Sequence, residues 1–126
     1  MKSHDTVLIV EDEENLRDLL KMMLEENGIK VLEAADGVEA VEIFTAHKDE
    51  IGVVLSDIGL PRLGGWDAFL KMKEINPELK GILASGFFNL DVRTEIIKSG
   101  ARDFIQKPYN SAIIIKMVRE ALDEIK

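Results

Sequence analysis

Five short runs of mostly branched aliphatic residues, each followed by an amphipathic stretch, constrain this chain more than any other feature. The first, Thr6-Val7-Leu8-Ile9-Val10, lacks apolar–polar alternation. It suits a strand covered on both faces. From Glu14 to Asn27, the residues Leu16, Leu19, Leu20, Met23 and Leu24 recur at helical spacing, and Gly28 supplies a stop. Lys30 to Ala34 reads as a second strand. Asp36 then caps a second helix, with Val38, Val41 and Phe44 as its inner face. Ile51 to Ser56 is a third strand around Val53-Val54-Leu55. Gly64-Gly65 precedes a helix from about Trp66 to Ile75, which Pro77 ends. Gly81 to Ala84 forms a fourth strand. Leu90 to Lys98 forms a fourth helix, closed by Gly100. Asp103 to Gln106 is a fifth strand, and Asn110 caps a last helix running to about Ile125.

Alternating strands and helices predict an α/β fold with a parallel sheet covered on both faces. Right-handed crossovers make such a sheet doubly wound. Functional groups then belong just beyond the carboxyl ends of the strands.

The chain has 126 residues, which fits one domain over 1–126, and no repeat, linker or low-complexity stretch interrupts it. A domain of this size removes roughly two-thirds of its unfolded surface from water. There is no cysteine, so disulfides and thiolate metal sites are excluded. The formal net charge of -8 opposes direct binding to nucleic-acid phosphates. The start of the chain has no signal-peptide pattern, and no apolar run spans a bilayer, so a cytoplasmic address and no membrane contact are expected. His4 and His47 lie far apart without a ligand pattern and read as surface residues. Trp66, Phe69 and Leu70 read as packing residues at helical spacing.

At the strand ends stand Glu11 and Asp12, then Asp57, then Ser85 before Gly86, then Lys107 before Pro108. Three carboxylates, a hydroxyl and an ammonium thus converge on one rim. Clustered acids repel each other unless a cation intervenes. Mg²⁺ suits hard oxygen ligands. Lys107 adds a second, mobile positive charge, and Ser85 a hydroxyl for a phosphoryl oxygen. This set suits phosphoryl transfer to a carboxylate, where the protein mainly positions groups and stabilises charge. Singly, each residue has an ordinary reading: a helix-start acid pair, an Asx turn, a turn serine, a strand-end lysine.

The joint pattern resembles the receiver domains of bacterial two-component response regulators. The residues carrying it are Glu11-Asp12, Leu55-Ser56-Asp57-Ile58-Gly59-Leu60-Pro61, Gly65, Ser85-Gly86 and Phe104-Ile105-Gln106-Lys107-Pro108. The resemblance implies a flavodoxin-like (βα)5 three-layer sandwich with a five-stranded parallel sheet in the order 2-1-3-4-5. It implies that Asp57 is the phosphoacceptor, with phosphoryl arriving from a histidine kinase or a histidine phosphotransfer domain. The donor histidine then belongs to the partner, and the chain is a signalling receiver that assists its own phosphotransfer and dephosphorylation, not a conventional enzyme. The implied metal is Mg²⁺, with Mn²⁺ as a substitute, held by Asp12, Asp57, the Gly59 backbone carbonyl and, often through water, Glu11. Lys107 matches the phosphoryl-pairing lysine across a cis bond to Pro108. Ser85 and Phe104 match the switch hydroxyl and switch aromatic, which repack the face made by the fourth helix, fifth strand and fifth helix. The implied state is a monomer or a weak, phosphorylation-linked dimer, with an unidentified output partner.

Two departures stand out: Glu11 replaces an acid that is often Asp, and Gly59 replaces a side chain that is often longer. Gly59 and Phe87 border the expected phosphosite, with opposite effects on water access. The first helix carries more apolar residues than one buried stripe requires, so Leu16 and Leu19 are either core or a docking surface for a kinase helix bundle. Two other functions compete: an interaction module without the chemistry, and a flavodoxin-like cofactor binder. Against the latter, Glu11-Asp12-Glu13-Glu14 would repel phosphate unless metal were bound.

Overall fold

In the computed structural model, which describes residues 3–59, 62–86, 90–108 and 110–125, the chain alternates strand and helix throughout. The elements are β1 (Thr6–Val10), α1 (Glu14–Glu26), β2 (Lys30–Ala34), α2 (Gly37–Ala46), β3 (Ile51–Asp57), α3 (Gly65–Ile75), β4 (Lys80–Ser85), α4 (Leu90–Lys98), β5 (Asp103–Gln106) and α5 (Ser111–Asp123). The strands form one parallel sheet in the order β2-β1-β3-β4-β5, as the doubly wound reading requires.

β1 and β3 are central, and their continuous apolar runs follow from cover on both faces. Alternate residues feed two cores. Leu8, Val10, Val54, Leu83 and Phe104 join the helix face that includes Phe44, Phe69 and Met72. Val7, Ile9, Val53, Leu55, Ile82 and Ile105 join the opposite face with Leu20, Leu24, Ile114 and Val118. Each such fully buried aliphatic side chain stabilises the fold by about 1.5–3 kcal/mol relative to exposure.

The helix ends follow local chemistry. Asp36 caps α2 by accepting from Glu39 N at 2.8 Å, and Asn110 caps α5 by accepting from Ile113 N at 3.2 Å. Gly28, at φ 76°, lets the chain leave α1 in the left-handed region.

Three expectations are adjusted. On α2, Phe44 is buried as expected and Val41 packs half-buried against the same core, while Gly37 and Ala40 take the inner face in place of Val38, which is half-buried. At Gly37 the Leu63 backbone approaches too closely to leave room for a Cβ. β4 extends to Lys80 and Ser85 because its ladders with β3 and β5 reach those residues. On α1, Leu20 and Leu24 are buried, Leu16 is half-buried, and Leu19 is 56% exposed. Among the described residues, no helix is long and apolar enough to cross a membrane.

Candidate functional site

Strand register brings the site together. Val10 pairs with Ser56, so the next residues, Glu11 and Asp57, are neighbours across β1 and β3. Asp57 pairs with Ala84, and Ser85 with Gln106, which places Lys107 one residue beyond β5. Glu11, Asp57 and Lys107 continue the alternation of Ile9, Leu55 and Ile105, so all three have the same facial parity. Ser85 and Phe104 have the other parity, that of Leu83.

Lys107 Nζ donates to Glu11 Oε1 at 2.8 Å and to Asp57 Oδ2 at 2.9 Å. The second oxygen of each carboxylate is held by backbone: Glu13 N donates to Glu11 Oε2 at 3.1 Å, and Gly59 N donates to Asp57 Oδ1 at 3.1 Å. Glu11 is only 1% exposed. Burial pushes its carboxyl above the usual range, against the opposing pull of Lys107 and the Glu13 N–H. Arg17 secures the turn after β1 by donating to the Glu11 carbonyl at 2.8 Å.

Asp12 is exposed beside this pair. Carboxylate oxygens of Glu11, Asp12 and Asp57 all lie within 4.8 Å of one another. Three anions facing one ammonium leave an excess of negative charge. The oxygen-only donor set and that charge both fit a small hard cation. Gly59 is exposed, and among the described residues a Cβ built there would meet only Asp57 Oδ1, at 3.9 Å. The space expected at Gly59 is therefore present. Phe87, Leu60 and Pro61 lie outside the described residues.

Gly65 explains how α3 approaches the site. A Cβ at this position would overlap the Asp57 carbonyl oxygen. Glycine thus allows the first turn of α3 to back directly onto the end of β3. On the far side, Lys107 N donates to the Ser85 carbonyl at 2.8 Å, and the Lys107–Pro108 bond is cis. Ser85 is buried at the rim, and Phe104 is 6% exposed within the core.

The structure therefore gathers Glu11, Asp12, Asp57 and Lys107 into one cluster, with Gly59 and Ser85 beside it. Sequence reasoning missed Arg17 and a second pair, Arg62 with Asp36. Arg62 donates to Asp36 at 2.9 and 3.1 Å across 26 residues, a separation for which the sequence carries no local signal.

The model of the response regulator receiver domain family matches residues 7–119. The chain belongs to that family. As a receiver domain, it is a module of two-component phosphorelay signalling; receivers bind Mg²⁺ at an acidic pocket, and here Glu11, Asp12 and Asp57 form an acidic cluster. It is 37% identical over 120 residues to the chemotaxis protein CheY of Thermotoga maritima, covering 94% of this receiver and 95% of that protein. It is 31% identical over 121 residues to the C4-dicarboxylate transport transcriptional regulatory protein DctD of Rhizobium meliloti, covering 96% of this receiver but 26% of the relative. With two further relatives the covered share of the relative is 25% and 31%. A receiver domain from Clostridium thermocellum superposes with a TM-score of 0.89 at 29% identity, covering 94% of each chain. A chain from the CheX–CheY–BeF3–Mg²⁺ complex of Borrelia burgdorferi superposes at 0.86 with 28% identity, covering 91% of this receiver and 87% of that chain.

Proposed function

We propose that this receiver accepts a phosphoryl group on Asp57 from a phosphohistidine of a sensor histidine kinase or a histidine phosphotransfer domain. The observation that carries the reading is the placement of Lys107 Nζ on both Glu11 and Asp57, with Asp12 in the same cluster. A buried acid and a strand-end aspartate sharing one lysine, with an exposed third acid beside them, are costly to assemble for structure alone.

In the proposed reaction, an Asp57 carboxylate oxygen attacks phosphorus as the bond to the imidazole nitrogen breaks. The electron pair stays on the imidazole, which takes a proton from water. Gly59 N–H holds the other Asp57 oxygen and so orients the attacking one. Mg²⁺, or Mn²⁺ in its place, would be held by Asp12, Asp57, the Gly59 carbonyl and, through water, Glu11. When bound, it supplies positive charge to the incoming phosphoryl oxygens. Lys107 would exchange its contact with Asp57 for a phosphoryl oxygen, keeping Glu11 as its second partner. Ser85 would reach another oxygen, and Phe104 would repack in response, biasing a two-state element. The affected surface is the α4-β5-α5 face, where Leu90 is 63% and Ile113 46% exposed.

A kinase partner would dock on α1, where Leu19 and Met22 are exposed. An open cleft of about 380 Å³ lined by Glu13, Leu16, Gly86, Lys107 and Pro108 leads from that helix to the site. Cytoplasmic location, a 1–126 domain, a monomer or weak phosphorylation-linked dimer, and an output through another protein or segment complete the reading. Beryllofluoride with Mg²⁺ tests it by amide NMR. The expected result is saturable shifts at Gly59, Ser85 and Lys107 that spread to α4 and α5. An unchanged spectrum would overturn the reading.

A further inference from the structure

The β3–α3 loop is fastened to the start of α2, and we infer that Arg62 and Asp36 form a positioning pair that sets how tightly the site binds its divalent cation. This deepens the function proposed above and rests on it.

The fastening has three parts. First, Arg62 Nε and one terminal nitrogen donate to the two carboxylate oxygens of Asp36, at 2.9 and 3.1 Å. Paired charge-assisted bonds of this kind fix direction as well as distance. Second, Asp36 is itself immobilised as the α2 N-cap. Its Oδ1 accepts from Glu39 N at 2.8 Å, while Glu39 Oε1 reaches back past the cap to accept from Ala35 N at 3.0 Å, so the turn entering α2 is tied at both residues. The Arg62 bonds and the Glu39 N–H together hold the Asp36 carboxyl below its usual range. Third, the Leu63 backbone lies against Gly37, where any Cβ would overlap the Leu63 carbonyl. Loop and helix therefore touch at the level of their backbones.

Arg62 adopts φ 66°, in the left-handed region that non-glycine residues rarely occupy. A residue held there needs surrounding structure to offset the cost. The guanidinium–carboxylate pair and the Leu63–Gly37 contact are the structure available to do so.

The fastened segment is the one that matters for the cation. It begins at Asp57, and Gly59 follows, with its N–H on Asp57 Oδ1. Arg62 is three residues beyond Gly59. At the far end, Gly65 N donates to the Ile58 carbonyl at 3.2 Å, and Gly65 backs onto the Asp57 carbonyl. Among its described residues, Ile58 and Gly65 are tied together at the sheet, and Arg62 and Leu63 meet α2. In sequence Gly59 stands between Ile58 and Arg62, so freeing Arg62 is expected to widen the range of positions the Gly59 carbonyl samples. Arg62 touches neither phosphoryl group nor metal; it acts through the loop.

The bland alternative is a solvent-exposed ion pair without consequence, as many are. Arg62→Gly separates the two. Glycine suits the left-handed backbone better than arginine, so removing the whole side chain, guanidinium included, adds no backbone strain. Asp36→Asn keeps an acceptor for the helix cap and removes the charge.

The test is calorimetric titration of each protein with Mg²⁺ alone, accompanied by the Gly59 amide shift. Arg62→Gly and Asp36→Asn are each expected to weaken Mg²⁺ binding about two- to fivefold, the range one well-formed exposed pair can supply. The double variant should be no weaker than either single one, because both remove the same contact. Arg102→Gln, which removes a distant ion-pair network, should leave binding unchanged. Native-like affinity in Arg62→Gly, or losses that multiply in the double variant, would overturn the positioning role while leaving the site intact. Native protein without saturable Mg²⁺ binding would overturn the site reading itself, and this inference with it.

Discussion

The ammonium of Lys107 lies 2.8 Å from Glu11 Oε1, an acid 96 residues earlier in the chain and almost fully buried. That contact makes Lys107 the principal side-chain partner of a carboxylate whose charge burial disfavours. Lys107→Ala should therefore lower stability by about 1–3 kcal/mol, because it strands a buried polar group. Urea unfolding at neutral pH without divalent cations checks this. Unchanged stability would show that Glu11 does not depend on Lys107.

Asp12 should trade stability for function. It adds a third negative charge to the Glu11–Asp57 cluster, within 4.8 Å of both. Asp12→Asn relieves that repulsion, and should raise the unfolding midpoint in metal-free buffer while abolishing Mg²⁺ binding. Denaturant melts with and without Mg²⁺ measure both effects. The native protein should gain stability with added Mg²⁺, and the variant should not.

The far side of the sheet offers a pH-dependent test. Arg102 meets Glu124 at 2.6 and 3.0 Å and Asp103 at 3.2 Å. The Arg102 bond holds the Glu124 carboxyl below its usual value of 4.5. A lowered folded-state value means the stabilisation is present above pH 4.5 and disappears as pH falls through the folded-state value. Arg102→Gln should thus cost less than about 1 kcal/mol near neutrality, given the exposure of Glu124, and nothing in strong acid. Added salt should also shrink the difference. Unfolding curves across the acid range measure it.

Packing between α3 and β4 predicts a larger effect. The Phe69 ring covers Gly81 so closely that a Cβ there would overlap it. Phe69 is fully buried, so it has no open space to move into. Gly81→Ala should cost about 1–3 kcal/mol through overpacking. Phe69→Ala should cost about 3–5 kcal/mol. Both are read from chemical denaturation.

The sequence made strand positions legible because β1 and β3 are buried on both faces, leaving apolar runs without alternation. Helix ends were legible where side chains do local work, as at Asp36 and Asn110. The site was legible because the fold rule sends attention to strand ends, where Glu11, Asp12, Asp57 and Lys107 stand. What escaped depends on contacts between distant segments. Val38 looked like an inner residue of α2, yet the buried positions are Gly37, Ala40 and Phe44, with Gly37 set against the distant Leu63 backbone. Leu16 and Leu19 read equally as core or as docking surface, and only folding separates them, leaving Leu19 exposed and Leu16 half-buried. Arg62 has no partner within helical spacing, and only folding brings it to Asp36. Ser85 and Asp57 both follow apolar runs, so their opposite strand parity appeared only once the register of β3 and β4 was known.

The central claim is that Asp57 carries the phosphoryl group. Incubation with acetyl phosphate and Mg²⁺, followed by intact-mass measurement and peptide mapping, tests it most directly. One phosphoryl adduct is predicted, mapping to the peptide that contains Asp57, dependent on Mg²⁺ and absent from Asp57→Asn. An adduct that persists in Asp57→Asn, or native protein that acquires none, would contradict the account.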